Sequence, residues 1–331
     1  MRSVRRIGTS SGSRWVVVAV FAAMALPACS GIGRIPQPTA TAPSLGIVAE
    51  VASYAIVAER PSRLLVALIT GDNRWVSFGT VDIRFGYLGD GATATAPELA
   101  APSTTARFLA IPGSPEGAGR QPSLTVPADG RGVYAAEAVT LPRAGYWQAV
   151  VTGRLEDGSN FGADAAFTVF DRSPVIGVGA IAPKTDNPVV GTPGVALSAI
   201  DSRAAIDGSI PDAQLHRTSI RQAIELGHPA LVVFSTPVYC VSRFCGPVTD
   251  LVADLAAQYG DRADFIHIEI YADFQAGKVN QAALDWLQTG TGDLREPWTF
   301  LIGADGRIVA SWDTVVTRSE IEPLLQALPI K

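Results

Sequence analysis

The sequence predicts two folded domains, an all-β sandwich followed by an α/β domain, and three observations support this division. Residues 46–171 contain short alternating apolar segments separated by turn residues, and no segment there has helical periodicity. Residues 213–331 alternate between strand and helix patterns, which is typical of an α/β domain. Residues 172–212, punctuated by proline and glycine, are predicted to form the connector between the two domains.

Composition limits the class of protein. The chain has 331 residues, 47% of them hydrophobic and 17% charged, so it can bury large cores and is not disordered throughout. The formal net charge is −5, and no basic run follows residue 14. Nucleic-acid binding depends on clustered Lys and Arg, so we expect no nucleic-acid partner.

The N-terminus has the pattern of an export signal. Four arginines within the first 14 residues precede an apolar stretch, residues 15–26, that is too short to span a bilayer core of about 30 Å as a helix. The stretch ends in Leu-Pro-Ala-Cys29, which resembles the lipobox of bacterial lipoproteins. This resemblance implies a signal peptide over residues 1–28, a lipid on Cys29 and a location at the extracytoplasmic face of the cell membrane. An ordinary secretory signal with an incidental cysteine is the alternative. Residues 29–45 are predicted to be a flexible tether.

The β-domain is predicted from strand patterns and turns. Val81, Ile83 and Phe85 share one face of a strand, and Gly-Asp or Gly-rich turns separate the strands. The predicted strands cover residues 47–57, 64–69, 76–87, 132–141, 146–154 and 163–170. Residues 89–131, rich in Ala, Pro, Thr and Gly, are predicted to be a long mobile loop. The segment LPRAGYW (141–147) resembles the late strands of immunoglobulin-like extracellular modules, which implies an immunoglobulin-like sandwich.

The second domain is predicted element by element. Ser219 and Gln222 form a capping-box pattern ahead of a short helix, and the apolar run 230–234 is typical of a buried central strand. The remaining predicted elements are a helix over 247–259, a strand over 265–271, a helix over 281–287, a hairpin over 298–302 and 307–312, and a helix over 319–328.

Two segments of this domain carry a family resemblance. Residues 231–250 read LVVFSTPVYCVSRFCGPVTD, and residues 296–308 read EPWTFLIGADGRI. Both resemble thioredoxin-like proteins, particularly membrane-anchored thiol–disulfide oxidoreductases and peroxiredoxins. The resemblance implies a thioredoxin-like fold, a redox-active pair Cys240 and Cys245, and a cis proline at Pro297 that positions a partner's backbone. From the residues alone, an ordinary trans proline at the start of a strand is the alternative.

The spacing of the two cysteines restricts where they lie. Residues five apart in an α-helix differ by about 7.5 Å in rise, whereas a disulfide needs Cα atoms within about 7 Å. Pro247 suits the first turn of a helix. We therefore expect Cys240 in a loop and Cys245 at the start of the helix.

Two assignments of the attacking thiol remain open. A helix N-terminus stabilises a thiolate, and Arg243 adds a cationic neighbour, which favours Cys245 as nucleophile and Cys240 as resolving thiol. The stretch from Thr236 to Cys245 also resembles peroxiredoxins with a Cys-x4-Cys spacing, in which the first cysteine attacks peroxide. That resemblance favours Cys240.

The sequence therefore predicts an extracytoplasmic thiol–disulfide oxidoreductase that exchanges disulfides with protein partners. Alternatives are a thiol peroxidase, or a non-catalytic surface-binding lipoprotein with a structural disulfide. Glu296 is interpreted as either a proton-relay carboxyl or a surface charge, and His267 as a core histidine or a metal ligand acting with the two cysteines. His216 and His228 indicate no function, and no cofactor or metal site is predicted.

Overall fold

A computed structural model describes residues 46–91, 98–99, 103–288 and 294–331. The predicted signal peptide, Cys29 and tether lie outside this range. The described residues contain more strand than helix and belong to one compact unit. None of the helices among them is long and apolar enough to cross a membrane. The domain boundaries at residues 171 and 213 stay predictions.

The N-terminal part of the described chain forms one antiparallel sheet of ten strands. The strands are β1 (Ile47–Val51), β2 (Ser62–Thr70), β3 (Trp75–Ser77), β4 (Thr80–Gly89), β5 (Glu98–Leu99), β6 (Thr104–Ala110), β7 (Ser123–Thr125), β8 (Gly132–Val139), β9 (Gly145–Arg154) and β10 (Asn160–Val169). Their order is β10-β9-β4-β6-β8-β2-β3-β7, with β1 paired to β2 and β5 to β4. The prediction of antiparallel β-structure is confirmed.

The prediction of a loop over residues 89–131 is wrong, because this segment contains β5, β6 and β7. Residues 104–107 of β6 pair with β4, and residues 107–110 pair with β8. Strand β6 therefore joins the strands on its two sides into one hydrogen-bonded path. Its inward positions include the small residues Ala106 and Ala110, so its hydrophobic pattern is weak. Pairing with two neighbours, which the sequence does not reveal, stabilises it.

Strand β2 is buried on both faces. Leu64, Val66 and Leu68 pack in the core of the ten-stranded sheet. Leu65 and Ala67, on the opposite face, pack in a second cluster that contains residues from the C-terminal half of the chain. A strand covered on both faces has a continuous apolar sequence, as β2 does.

The C-terminal part contains a four-stranded mixed sheet with helices on both faces. Its elements are α1 (Ile220–Leu226), β11 (Ala230–Ser235), α2 (Cys245–Tyr259), β12 (Asp264–Glu269), β13 (Tyr271–Asp273), β14 (Lys278–Val279), α3 (Gln281–Leu287), β15 (Trp298–Ile302), β16 (Ile308–Asp313) and α4 (Arg318–Gln326). The strand order is β12-β11-β15-β16, while β13 and β14 form a separate hairpin. Strand β11 is parallel to β12 and antiparallel to β15.

The central strand β11 alternates between two cores. Val232 and Phe234 face the core shared with α1 and α3, whereas Leu231 and Val233 face the core shared with α2 and α4. All six residues of β11 are buried, which confirms the prediction of a central strand. The capping box of Ser219 and Gln222 at the start of α1 is also confirmed.

Arg63 joins the two sheets electrostatically. Its guanidinium forms ion pairs with Asp313 and Glu320 and donates a hydrogen bond to the carbonyl of Val315. The Arg63 side chain is only 13% exposed, and its carboxylate partners are 11% and 24% exposed. Water cannot easily replace Arg63, because these charges are mostly shielded from solvent. Removing Arg63 therefore leaves two poorly solvated carboxylates without their cation.

We expect Arg63→Ala to lower the free energy of unfolding by about 3 kcal/mol, the cost of breaking a buried ion pair. Arg74→Ala is the matched control, since Arg74 pairs with Asp72 at 2.8 Å but both side chains are exposed. The control should cost less than about 1 kcal/mol. Urea unfolding measures both values, and equal losses in the two variants would contradict the role given to Arg63.

Candidate active site

The two predicted cysteines form a disulfide between a loop and a helix. Cys240 lies in the loop after β11, and Cys245 is the first residue of α2. Their Cα atoms are 6.1 Å apart, within the range a disulfide requires. The predicted positions of both cysteines are confirmed.

The two sulfur-bearing residues differ in access to solvent. Cys245 is 0% exposed, whereas Cys240 is partly exposed. Val241, next to Cys240, is 95% exposed. A partner can therefore approach the disulfide from the side of Cys240.

Hydrogen bonds of Thr249 hold the N-terminus of α2, which carries Cys245, against the end of β11. Thr249 Oγ1 donates to the carbonyl of Cys245 at 2.8 Å and lies 2.6 Å from Ser235 Oγ at the end of β11. The backbone N–H of Cys240 donates to the carbonyl of Thr236 at 3.0 Å. These contacts fix both ends of the disulfide loop to the central strand.

A carboxyl group lies beside the disulfide. One oxygen of Glu296 and the two sulfurs of Cys240 and Cys245 lie within 4.8 Å of one another. Glu296 Oε2 is buried and has no hydrogen-bond partner. The interpretation of Glu296 as a surface charge is therefore wrong. While the disulfide is intact, its sulfurs are not thiolates and offer no metal-binding charge.

Burial raises the pKa of Glu296 to about 8, and the negative charge of Glu269 acts in the same direction. A backbone hydrogen bond from Thr236 opposes this shift without cancelling it. Glu296 therefore carries a proton at neutral pH. A protonated carboxyl next to a disulfide can supply the proton that a leaving thiolate needs.

Pro297 follows this carboxyl directly. The Glu296–Pro297 peptide bond is cis, as the family resemblance implies. The carbonyl of Glu296 accepts a hydrogen bond from the Tyr54 hydroxyl at 2.7 Å. Tyr54 comes from the N-terminal half of the chain, so residues of both halves position the segment beside the disulfide.

Both halves also line a groove of about 340 Å³ next to the disulfide loop. Tyr54 and Trp75 contribute from the N-terminal half, and Val241, Arg243 and Arg295 from the C-terminal half. Phe244, which precedes Cys245, packs in the cluster that contains Trp75 and Leu65. The ten-stranded sheet therefore supports the loop that carries the cysteines.

A second group of polar residues lies apart from the cysteines. Asp201, His216 and His267 are all buried, and one donor atom of each lies within 4.8 Å of the other two. The structure thus groups His267 with Asp201 and His216, not with the cysteines. Asp201 and His216 belong to segments that pack against His267 of β12, and no local sequence pattern predicts this packing.

Arg203 and the two histidines determine the charge of Asp201. Burial by itself would raise the pKa of the Asp201 carboxyl, but the neighbouring His216 and His267 rings and the hydrogen bonds from Arg203 outweigh it and hold the pKa well below its usual range. Burial lowers the pKa of His216, against the opposing effect of Asp201. Asp201 is therefore ionised and His216 neutral at neutral pH.

Comparison with known proteins gives no relative from which a function can be transferred. No protein-family model and no curated protein matches the chain. Among solved structures, the crystal structure of BslA, described as a bacterial hydrophobin, is similar to 39% of this chain and 96% of its own, at 14% identity and a TM-score of 0.22. A likeness of this size supports neither a fold nor a function.

We expect the raised pKa of Glu296 to appear in the pH dependence of stability. The folded chain keeps this proton up to a pH of about 8, whereas the unfolded chain loses it near the ordinary value of 4.5. The folded state binds more protons between these values, so the free energy of unfolding falls with rising pH, by up to about 1.4 kcal/mol per unit.

Chemical unfolding of the disulfide-intact protein between pH 5 and 8 measures this slope. Glu296→Gln should flatten it, whereas Glu156→Gln, in an exposed turn, should leave it unchanged. The same slope in wild type and Glu296→Gln would show that Glu296 is ionised in the folded protein.

Proposed function

We propose that this chain is an extracytoplasmic thiol–disulfide oxidoreductase, anchored through a lipid on Cys29, with an immunoglobulin-like β-domain and a thioredoxin-like C-terminal domain. Its partners would be protein thiols and disulfides. The observation that carries the proposal is the asymmetry of the disulfide: one cysteine is partly exposed, the other is buried, and a carboxyl lies beside both.

The order of elements supports the proposed thioredoxin-like domain. From β11 the chain runs strand, helix, strand, helix, strand, strand, helix, apart from the small β13–β14 hairpin. This is the order that the family resemblance implies. The cysteine loop follows the first of these strands, and Pro297 precedes β15.

Exposure favours Cys240 as the residue that reacts with partners. The three sulfurs of an exchange reaction must approach one another, and a protein partner cannot reach the fully buried Cys245 without opening the loop. We therefore assign Cys240 as the cysteine that forms the mixed disulfide and Cys245 as the resolving cysteine. This is the second of the two assignments that the sequence left open.

The oxidised state can react with a partner dithiol in two steps. First, a partner thiolate attacks Cys240 Sγ, the Cys240–Cys245 bond breaks, and the Cys245 thiolate takes the proton of Glu296 as it leaves. Second, the partner's other thiolate attacks the partner sulfur that is bonded to Cys240. A disulfide then forms within the partner, and Cys240 leaves as a thiolate. The partner gains a disulfide, and this chain gains two electrons. The reverse sequence reduces a partner disulfide.

The groove beside the loop supports a protein partner. It combines the aromatic side chains of Tyr54 and Trp75 with the cations Arg243 and Arg295, next to the exposed Val241. Such a surface suits an extended peptide segment that presents its cysteine to Cys240. In the proposal, Pro297 positions the backbone of that segment.

We expect the two Cys→Ser variants to trap a partner unequally. Reduced Cys245→Ser, incubated with glutathione disulfide, should accumulate a stable mixed disulfide on Cys240, because the resolving thiol is absent. Cys240→Ser should react much more slowly, because Cys245 is buried. Mass spectrometry of the intact chain measures both, in a Cys29→Ser background that removes the third thiol.

Other results would favour the alternatives. Equal trapping by the two variants would overturn the assignment of Cys240. A disulfide in the wild-type protein that resists dithiothreitol until the chain unfolds would indicate a structural role. Oxidation of the reduced protein by hydrogen peroxide far faster than that of free cysteine would indicate a thiol peroxidase.

The lipid anchor has its own test. In a bacterial host that processes lipoproteins, the wild-type chain should incorporate radioactive palmitate and remain with the membrane fraction. Cys29→Ser should lose the label, whereas Cys240→Ser should keep it. A labelled Cys29→Ser chain, or an unlabelled wild-type chain, would contradict the proposed anchor.

A further inference from the structure

Two histidines converge on one carboxylate oxygen in the interior. Asp201 Oδ2 lies 3.3 Å from His216 Nε2 and 3.6 Å from His267 Nδ1. All three side chains are 0% exposed. The contact of His216 with Asp201 is a long hydrogen bond, whereas the separation between His267 and Asp201 exceeds hydrogen-bond distance, which is about 2.9 Å for nitrogen and oxygen.

The other ring nitrogen of His267 determines what faces Asp201. His267 Nε2 lies 3.1 Å from the carbonyl oxygen of Ser235, which can only accept, so Nε2 carries the hydrogen. In the neutral ring, Nδ1 then presents a lone pair to the Asp201 carboxylate. Two lone pairs facing each other repel unless a cation lies between them. Nδ1 of His267 and Nδ1 of His216 have no hydrogen-bond partner.

The surrounding charges leave room for a cation. Arg203 pairs with Asp201 at 2.8 Å, with Asp212 at 3.1 Å and with Asp250 at 3.0 Å. One guanidinium against three carboxylates leaves two negative charges in this network. Each carboxylate oxygen has two lone pairs, so Arg203 leaves one lone pair of Asp201 Oδ2 available to a cation.

We propose that Asp201 Oδ2, His216 Nε2 and His267 Nδ1 bind a divalent first-row metal ion, with zinc as the best match to the donor set. Zinc binds nitrogen at about 2.0–2.1 Å and carboxylate oxygen at about 2.0–2.2 Å in tetrahedral geometry, which places neighbouring donors about 3.3–3.5 Å apart. The separation of 3.3 Å falls within this range, and the separation of 3.6 Å lies just above it.

The hydrogen bond from His267 to the carbonyl of Ser235 is also typical of a metal-binding histidine. A ligating histidine usually donates its other ring N–H to a backbone carbonyl or carboxylate, which fixes the ring and its tautomer. His267 does so at the end of β11. Because Asp201 and His216 precede β11 while His267 lies on β12, the metal would clamp the preceding segment to the sheet.

The test measures metal binding by the full chain in a Cys29→Ser background with the Cys240–Cys245 disulfide intact, so that no thiolate can bind metal. The protein is refolded with Co²⁺, freed of excess ion and examined by elemental analysis and visible absorption. We expect one Co²⁺ per chain, with ligand-field bands of a four-coordinate site and no thiolate charge-transfer band. His216→Gln and His267→Gln should lose the ion.

His228→Gln is the matched control, since His228 is the third histidine of the chain and pairs with Asp264 at 3.0 Å, away from this cluster. It should bind Co²⁺ like the wild type, and Zn²⁺ should raise the melting temperature of both.

If His216→Gln or His267→Gln does not fold, the wild-type spectrum decides the question by itself. The proposal is overturned by a wild-type chain without bound metal, by an octahedral spectrum, or by equal binding in all three variants. An imidazolium at His267, detected by NMR in a metal-free chain, would show that a proton occupies the position.

Discussion

The packing of the ten-stranded sheet against the cysteine loop is the constraint on which the candidate active site depends. Phe244, the residue before Cys245, is buried against Leu65 and Trp75 of the N-terminal half. The Tyr54 hydroxyl holds the carbonyl of Glu296, and Arg63 joins β2 to the segment after β16. The N-terminal half is therefore more than a spacer, because it positions both segments that flank the disulfide.

Two buried carboxyls show how the local environment determines chemistry. Asp201 is fully buried and Glu296 is partly buried with one carboxyl oxygen out of contact with water, which favours the neutral acid in each case. Asp201 has a guanidinium and two imidazoles around it and stays ionised. Glu296 has a second carboxylate, Glu269, in its vicinity and keeps its proton at neutral pH. The first environment suits cation binding, and the second suits proton transfer to a sulfur.

Sequence patterns predicted most elements of the C-terminal half because its apolar runs, capping residues and turns are local. Helix α1 follows its capping box, and β11 is the buried run of the prediction. The sequence did not predict strand β6, because its hydrophobic pattern is weak and the strands that stabilise it, β4 and β8, are distant in sequence. The same reason hid the cluster around Asp201, whose members lie far apart along the chain.

The sequence by itself determined the positions of Cys240 and Cys245, since the spacing of five residues excludes two positions on one intact helix and Pro247 marks the helix start. It also determined the alternation of strands and helices that places them after a central strand. The tertiary structure alone decided which cysteine is buried, that Glu296 lies beside the disulfide, and that His267 meets His216. Burial and proximity depend on contacts between distant segments, and no local pattern of residues encodes them.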